Sequence, residues 1–130
     1  MTPFGLFLES IRRDRKLQQV QLADLLGVNS GYISVMESGK KGPPSKMVLT
    51  NLIEQLELND EEQSLLWDSI EKSQRTIRIP ESASLDEFAL VSELRQRLGM
   101  LTKDQVDAIR SILRFECKTN ISQNIQLRRF

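Results

Sequence analysis

A short run of residues that predicts two helices joined by a tight turn constrains the fold of this 130-residue chain more than any other feature. Residues 19–26 form one helical segment, and Gly27 ends it because glycine adopts a positive φ at little cost. Ala23 supplies the small side chain that lets a second helix approach closely. Asn29 can cap that second helix, which is predicted over residues 30–38.

The apolar residues of this run give the second helix a buried face and an exposed face. Those expected between the two helices are Leu22, Leu26, Val28, Ile33 and Met36. The remaining positions should point away from the core, on the face that a helix-turn-helix presents to the major groove of DNA; they are Ser30, Gly31, Ser34 and Val35.

Capping residues predict five more helices. The first spans residues 3–16, with Pro3 at a position where its missing N–H does no harm. The other four each follow a capping residue, namely Ser45, Asn59, Ser84 and Thr102. Trp67, in the fifth helix of the chain, is expected to belong to the core. The expected fold class is therefore all-α, with five helices in the first half and two in the second.

A stretch without helical periodicity divides the chain. Residues 74–83 contain Pro80 and are interpreted as a linker between a domain of residues 1–73 and a helical segment of residues 84–118. The tail, residues 119–130, is polar, and its spacing does not decide between helix, strand and disorder.

Charge is unevenly distributed, although the whole chain is neutral with 18 basic and 18 acidic residues. Residues 1–46 contain seven Lys/Arg and four Asp/Glu, residues 47–73 one and seven, and residues 74–130 ten and seven. A basic first block favours contact with phosphates, and the acidic middle block should face away from DNA.

Composition argues against an enzyme, a metal site or a membrane protein. The chain has no histidine, the commonest general base and zinc ligand. Cys117 is the only cysteine, which excludes an intrachain disulfide and fits a cytoplasmic location. No carboxylate pair or glycine-rich loop suggests catalysis, and no apolar run approaches the roughly 20 residues of a membrane span. We expect no enzymatic activity, no cofactor and no metal.

The run from Gln19 to Lys40 resembles the Xre, or lambda-repressor-like, helix-turn-helix family. The residues that carry the resemblance are Gln19, Leu22, Ala23, Leu26, Gly27, Val28, Asn29, Tyr32, Ile33, Ser34, Glu37, Gly39 and Lys40. The resemblance covers about residues 4–58. It implies a five-helix domain that binds double-stranded DNA, with residues 30–38 as the recognition helix.

The resemblance also implies the site residues. The DNA-binding residues expected are Gln19, Asn29, Ser30, Gly31, Tyr32, Ser34, Val35, Ser38, Lys40 and Lys41. Gln19 would help a helix N-terminus to hold a phosphate, whereas Tyr32 and Lys40 match positions near the DNA backbone. Arg12 and Glu37 match a pair that forms a partly buried salt bridge and orients the recognition helix.

Two departures from the family pattern affect the expected site. Gln18 replaces the usual Ser/Thr cap, which weakens the helix start by about 1 kcal/mol. Positions 30, 31, 34 and 35 carry no Arg, Gln or Asn, so they cannot make bidentate contacts with bases. Specificity is then expected to depend on Asn29, on Lys40 and Lys41, and on DNA shape.

The apolar residues of the last two helices need a partner. Their apolar surface is wider than one stripe of a surface helix; it includes Leu85, Phe88, Ala89, Leu90, Val91, Leu94, Leu98, Val106, Ile109, Ile112, Leu113 and Phe115. These helices either dock on the first domain or pair with a second chain. Because repressors of this fold read two-fold half-sites, a homodimer is the favoured interpretation.

Two functions follow from this organisation. The leading hypothesis is a dimeric repressor that binds an inverted-repeat operator. The alternative is an antitoxin-like protein whose C-terminal helices neutralise a toxin or another protein partner, while its DNA binding autoregulates the operon.

Overall fold

The structure, a computed structural model, describes residues 1–115, and that range contains seven α-helices and no β-strand. The helices are α1 (Pro3–Asp14), α2 (Gln19–Leu26), α3 (Ser30–Ser38), α4 (Lys46–Leu56), α5 (Asp60–Glu71), α6 (Leu85–Arg97) and α7 (Lys103–Arg114). The all-α prediction is confirmed. Cys117 and the tail, residues 119–130, lie outside the described residues, as does the end of the predicted segment 84–118.

Side-chain caps begin most of the helices where the sequence predicts them. Thr2 Oγ1 accepts a hydrogen bond from the Gly5 N–H at 3.0 Å at the start of α1. Helices α5, α6 and α7 each begin with a reciprocal pair of cap bonds; the pairs are Asn59 with Glu62, Ser84 with Glu87, and Thr102 with Gln105. Ser45 precedes α4 without a side-chain cap bond.

The start of α2 is partly compensated for its unusual cap residue. The Oε1 atom of Gln21 accepts a hydrogen bond from the Gln18 N–H at 2.7 Å. This bond is the reverse half of a capping box, and it satisfies a backbone donor that would otherwise face solvent. The penalty expected for Gln18 is therefore reduced by a residue one turn further along.

Residues 1–115 form two compact units, the first from Met1 to Arg78 and the second beginning at Ile79. The predicted domain limit, Ser73, lies inside the first unit. Its buried apolar residues form one core; they are Phe4, Leu8, Ile11, Leu22, Ala23, Leu26, Ile33, Met36, Leu49, Leu52, Leu56, Leu58 and Leu66. The prediction that Trp67 belongs to the core is wrong: its side chain is 42% exposed, because the neighbouring Leu66 occupies the inward position of α5.

The backbones of α1 and α3 come very close at Gly5. A Cβ atom placed on Gly5 would lie 2.6 Å from the Glu37 carbonyl oxygen and 2.7 Å from that of Met36. Only glycine fits this crossing, since both obstacles are backbone atoms. The last turn of α3 is therefore held directly against α1.

The second unit lacks fully buried residues within the described range. Many large apolar side chains of α6, α7 and their flanks are exposed; examples are Leu85, Leu90, Leu98, Met100, Ile112, Leu113 and Phe115. The two helices line an open groove of about 540 Å³, with Leu90, Leu94, Leu101, Ala108 and Ile109 as its apolar lining. Within residues 1–115, each helix is too short or too polar to cross a membrane.

We expect Gly5→Ala to destabilise the first unit because the added methyl group would push α1 away from α3. Overpacking of this kind costs about 1–3 kcal/mol, more than the roughly 0.5–1 kcal/mol that alanine gains over glycine within a helix. The matched control is Gly42→Ala, since a Cβ on Gly42 would meet nothing within 4 Å. Urea unfolding of the two variants measures the difference, and equal midpoints would contradict the close crossing.

Candidate nucleic-acid interface

Helix α3 has the two faces that its sequence predicts. Ile33, Met36 and Glu37 are buried, and Tyr32 is partly buried against the same core. On the other side, Gly31, Ser34 and Ser38 are exposed, while Ser30 and Val35 are partly buried. The exposed face is therefore narrow and carries short side chains, so a flat surface can approach the helix closely.

Asn29 caps the beginning of α3. Its Oδ1 atom accepts a hydrogen bond from the Gly31 N–H at 2.6 Å, and the backbone of Asn29 is extended. The amide nitrogen of the same side chain makes no hydrogen bond among the described residues. Asn29 thus stabilises the helix start with one end of its amide and presents the other end to solvent.

Gly39, in the left-handed conformation with φ 82°, ends α3. The N–H groups of Gly39 and Lys40 donate hydrogen bonds to the carbonyl groups of Met36 and Val35, at 3.2 Å each. Ser38 adds a bond from its hydroxyl to the Val35 carbonyl at 2.9 Å. This compact ending sets the direction in which the chain leaves the helix toward Lys41.

A buried carboxylate joins the first three helices. Glu37 Oε2 accepts a hydrogen bond from Arg12 Nε at 2.7 Å, and Glu37 Oε1 accepts one from Arg12 Nη2 at 3.0 Å. Gln19 Nε2 donates a further bond to Glu37 Oε1 at 2.9 Å. The side-chain hydrogen bonds to Glu37 raise the pKa of Arg12 above its usual value, so the guanidinium stays charged. Residues from α1, α2 and α3 therefore meet at one carboxylate.

Ion pairing decides which cations of the basic first block stay available. Arg13 pairs with Glu9 at 2.8 Å, and Arg15 pairs with Glu62 at 2.9 Å while also bonding to the Leu56 carbonyl. The bond from Arg15 lowers the pKa of Glu62, which keeps that carboxylate charged. By contrast, four lysines make no ion pair among the described residues; they are Lys16, Lys40, Lys41 and Lys46.

Three of these four lysines follow α3 in the chain, and all three are exposed: Lys40 and Lys41 lie in the loop after α3, and Lys46 is the first residue of α4. The surplus positive charge of the first block is therefore concentrated beside the C-terminal end of α3. Because phosphate attraction supplies most of the non-specific affinity of DNA-binding proteins, the position of this charge matters more than the neutral total.

Two contacts of this region could not be expected from the sequence. The family resemblance implies a phosphate contact for Gln19, yet one of its amide hydrogens is bonded to Glu37. Arg75, within the stretch interpreted as a linker, donates a hydrogen bond from Nη2 to the Gly39 carbonyl. No local pattern signals either contact, because each depends on where two distant segments of the folded chain meet.

Comparison with known proteins agrees with this geometry. Residues 3–66 match the family model described as a helix-turn-helix domain. The match covers just under half of the chain, and it agrees with the Xre-like helix-turn-helix resemblance of residues 19–40.

Two relatives from Bacillus subtilis (strain 168) match a similar length of chain. The uncharacterized HTH-type transcriptional regulator RghRB is 44% identical over 52 residues, which cover 40% of this chain and 37% of the relative. The HTH-type transcriptional repressor RghR is 40% identical over 58 residues, which cover 45% of this chain and 43% of the relative. The matches thus span less than half the length of either relative. No solved structure matches the chain.

Glu37→Gln should destabilise the first unit strongly, because it would leave the buried Arg12 guanidinium without a counter-charge. Removing one partner of a buried pair typically costs about 3–5 kcal/mol. Glu9→Gln is the control, since its partner Arg13 is exposed and an ion pair at the surface should contribute less than about 1 kcal/mol. Chemical unfolding of both variants checks the ranking; similar losses would mean that burial does not set the strength of the Glu37 pair.

Proposed function

We propose that this chain is a sequence-specific transcription regulator that binds double-stranded DNA through α3 and represses transcription as a dimer. The observation that carries the proposal is the exposed face of α3 followed by three lysines that make no ion pair within residues 1–115. The family match over residues 3–66 and the printed name of the relative RghR support it.

In this proposal α3 enters the major groove and its short side chains read base edges. Ser30 and Ser34 hydroxyl groups can donate and accept hydrogen bonds, and Val35 can contact a thymine methyl group. Gly31 lets the helix backbone approach closely. The unbonded amide nitrogen of Asn29 adds one longer donor at the start of the helix, where bases are usually contacted.

Phosphate contacts surround this reading face. An amide nitrogen carries two hydrogens, so Gln19 can bond to Glu37 with one and to a phosphate with the other, next to the N–H groups of the first turn of α2. Tyr32, Ser38, Lys40 and Lys41 would contact the backbone on the other side. A phosphate bound by Gln19 would therefore be linked, through Glu37, to the helix that reads the bases.

The second unit supplies the dimer in this proposal. A helical pair without a fully buried residue gains little from folding alone, because burial of apolar surface is the main stabilising term. Glu93 and Arg97 both line the groove between α6 and α7. If two copies pair about a two-fold axis with their α6 helices antiparallel, Glu93 of one lies near Arg97 of the other, and the groove is covered.

Repression would follow when the dimer occupies DNA that RNA polymerase needs. One α3 helix with short side chains discriminates poorly among the roughly 10⁶ or more competing sites of a genome. Two such helices held one turn of DNA apart, about 34 Å, would roughly double the discriminating free energy and require an inverted repeat. A dimer bound at a promoter excludes polymerase from the same DNA.

Mutations should separate the residues that contact bases from those that contact phosphates. Ser34→Ala is expected to change the preference at one base position in each half-site, at a cost of about 1–3 kcal/mol on the preferred site. Lys41→Ala should weaken binding to all duplexes alike and reduce the salt slope by about 0.9. Titrations against a site selected from a random library, and against its single-base variants, test this. If both variants lose affinity equally across all duplexes, the assignment of Ser34 to bases and Lys41 to phosphates is refuted. If the protein binds no duplex at all, the proposed DNA-binding function is refuted.

Truncation after Arg78 should separate DNA contact from dimerisation, because the first unit has its own core. The short chain is expected to sediment as a folded monomer, to lose preference for an inverted repeat and to keep weak non-specific affinity. The full chain should sediment as a dimer.

Substitutions in the full chain provide the matched control for this truncation. Leu90→Lys places a charge on the apolar lining of the groove and should yield a monomer, whereas Ser92→Lys, at an exposed position of the same helix, should leave the dimer intact. A full-length wild-type monomer would instead favour a different protein as partner of this groove, as in the antitoxin-like alternative.

A further inference from the structure

The chain that follows α5 returns to the start of α1 and is fixed there by buried hydrogen bonds. Ser73 Oγ accepts a bond from the Phe4 N–H at 2.8 Å and donates one to the Ser69 carbonyl at 2.6 Å. Ser73 is only 4% exposed. The residues immediately after it therefore leave α5 from a defined place and in a defined direction.

The side chain of Arg75, two residues after Ser73, reaches the end of α3. Its Nη2 atom donates a hydrogen bond to the carbonyl of Gly39, the residue that ends the helix. The last carbonyl groups of a helix lack partners within the helix, and a cation there also interacts favourably with the helix dipole. The contact therefore satisfies an acceptor that α3 itself cannot satisfy.

The same end of α3 is confined on a second side. A Cβ atom on Gly39 would lie 2.7 Å from Met1 Cα, so the backbone of Met1 lies directly against this residue. Gly39 is thus held between the first residue of the chain and a side chain that follows α5. Lys40 and Lys41 come next in the chain, and their positions depend on how Gly39 is held.

We infer that Arg75 is a positioning residue for DNA binding: it holds the end of α3 and the lysines that follow, from a segment outside the helix-turn-helix motif. The inference rests on the proposed function. It also makes DNA affinity depend on the segment that leads to α6, because a change of that segment's conformation would withdraw the guanidinium from Gly39.

Direct contact between Arg75 and a phosphate is the competing explanation, and salt dependence separates the two. A lost phosphate contact lowers the slope of affinity against salt by about 0.9, on any duplex. A lost positioning contact leaves the charges of Lys40 and Lys41 in place, so the slope on non-specific DNA stays the same. Only the selected site, which requires exact placement of α3, then binds more weakly.

The test uses the full chain with Arg75→Ala, Arg75→Lys and Arg78→Ala. Arg78 is the matched control: it lies on the same segment, is exposed, and makes no hydrogen bond or ion pair among the described residues. Arg75→Ala should weaken binding to the selected site by up to about tenfold, because the free energy of one charge-assisted hydrogen bond sets the limit of the loss. Arg75→Lys, which restores one donor, should recover most of that loss, and Arg78→Ala should have little effect.

Amide hydrogen exchange in the absence of DNA tests the restraint of α3 by Arg75 independently of DNA binding. In Arg75→Ala the Gly39 and Lys40 amides should exchange faster, because the last turn of α3 loses its restraint, while amides in the middle of α4 stay unchanged. Equal exchange and equal site affinity in Arg75→Ala and Arg78→Ala would overturn the inference. A reduced salt slope on non-specific DNA would overturn it in favour of phosphate contact. Failure of the wild-type chain to bind any duplex would overturn the proposed function, whereas the exchange result would still decide whether Arg75 restrains α3.

Discussion

The Glu37 carboxylate is the interaction on which the geometry of the first unit depends. It accepts two hydrogen bonds from Arg12 and one from Gln19, so a single buried carboxylate connects α1, α2 and α3. A buried charge is tolerated only when it is paired and fully hydrogen-bonded, which gives this arrangement little freedom to shift. Gly5 adds a steric limit, because it brings α1 against the last turn of α3. The face of α3 that remains exposed follows from these two restraints.

Electrostatics in this protein depends on pairing more than on composition. The chain has no net charge, and its first block has only a small basic surplus. Arg12, Arg13 and Arg15 are neutralised by carboxylates, two of them within structural bridges, and only exposed lysines remain. Two of those lysines, Lys40 and Lys41, lie in the loop after α3, and Lys46 begins α4. Pairing thereby turns a weak average charge into a local cationic surface beside the helix with the shortest exposed side chains.

The two units differ in how complete their cores are. The first buries one continuous apolar cluster and holds its own termini through Ser73 and Arg75. The second has well-capped helices, since Ser84 with Glu87 and Thr102 with Gln105 form reciprocal bonds, yet its apolar surface is largely exposed. Caps specify where a helix begins, but they bury almost no apolar area. A unit built this way needs another surface to complete its core.

Local rules acting within a few residues determined much of this structure from the sequence alone. Capping residues set the starts of the helices, Gly27 and Gly39 set the ends of α2 and α3, and apolar spacing set which face of α3 is buried. Tertiary structure decided the rest. Leu66 rather than Trp67 points inward because the packing of α5 selects the face, and Gln19 bonds to Glu37 because α2 and α3 cross there. Arg75 reaches Gly39 only because the chain after α5 returns to α3. Contacts between residues far apart in sequence leave no periodicity or cap for local reasoning to detect.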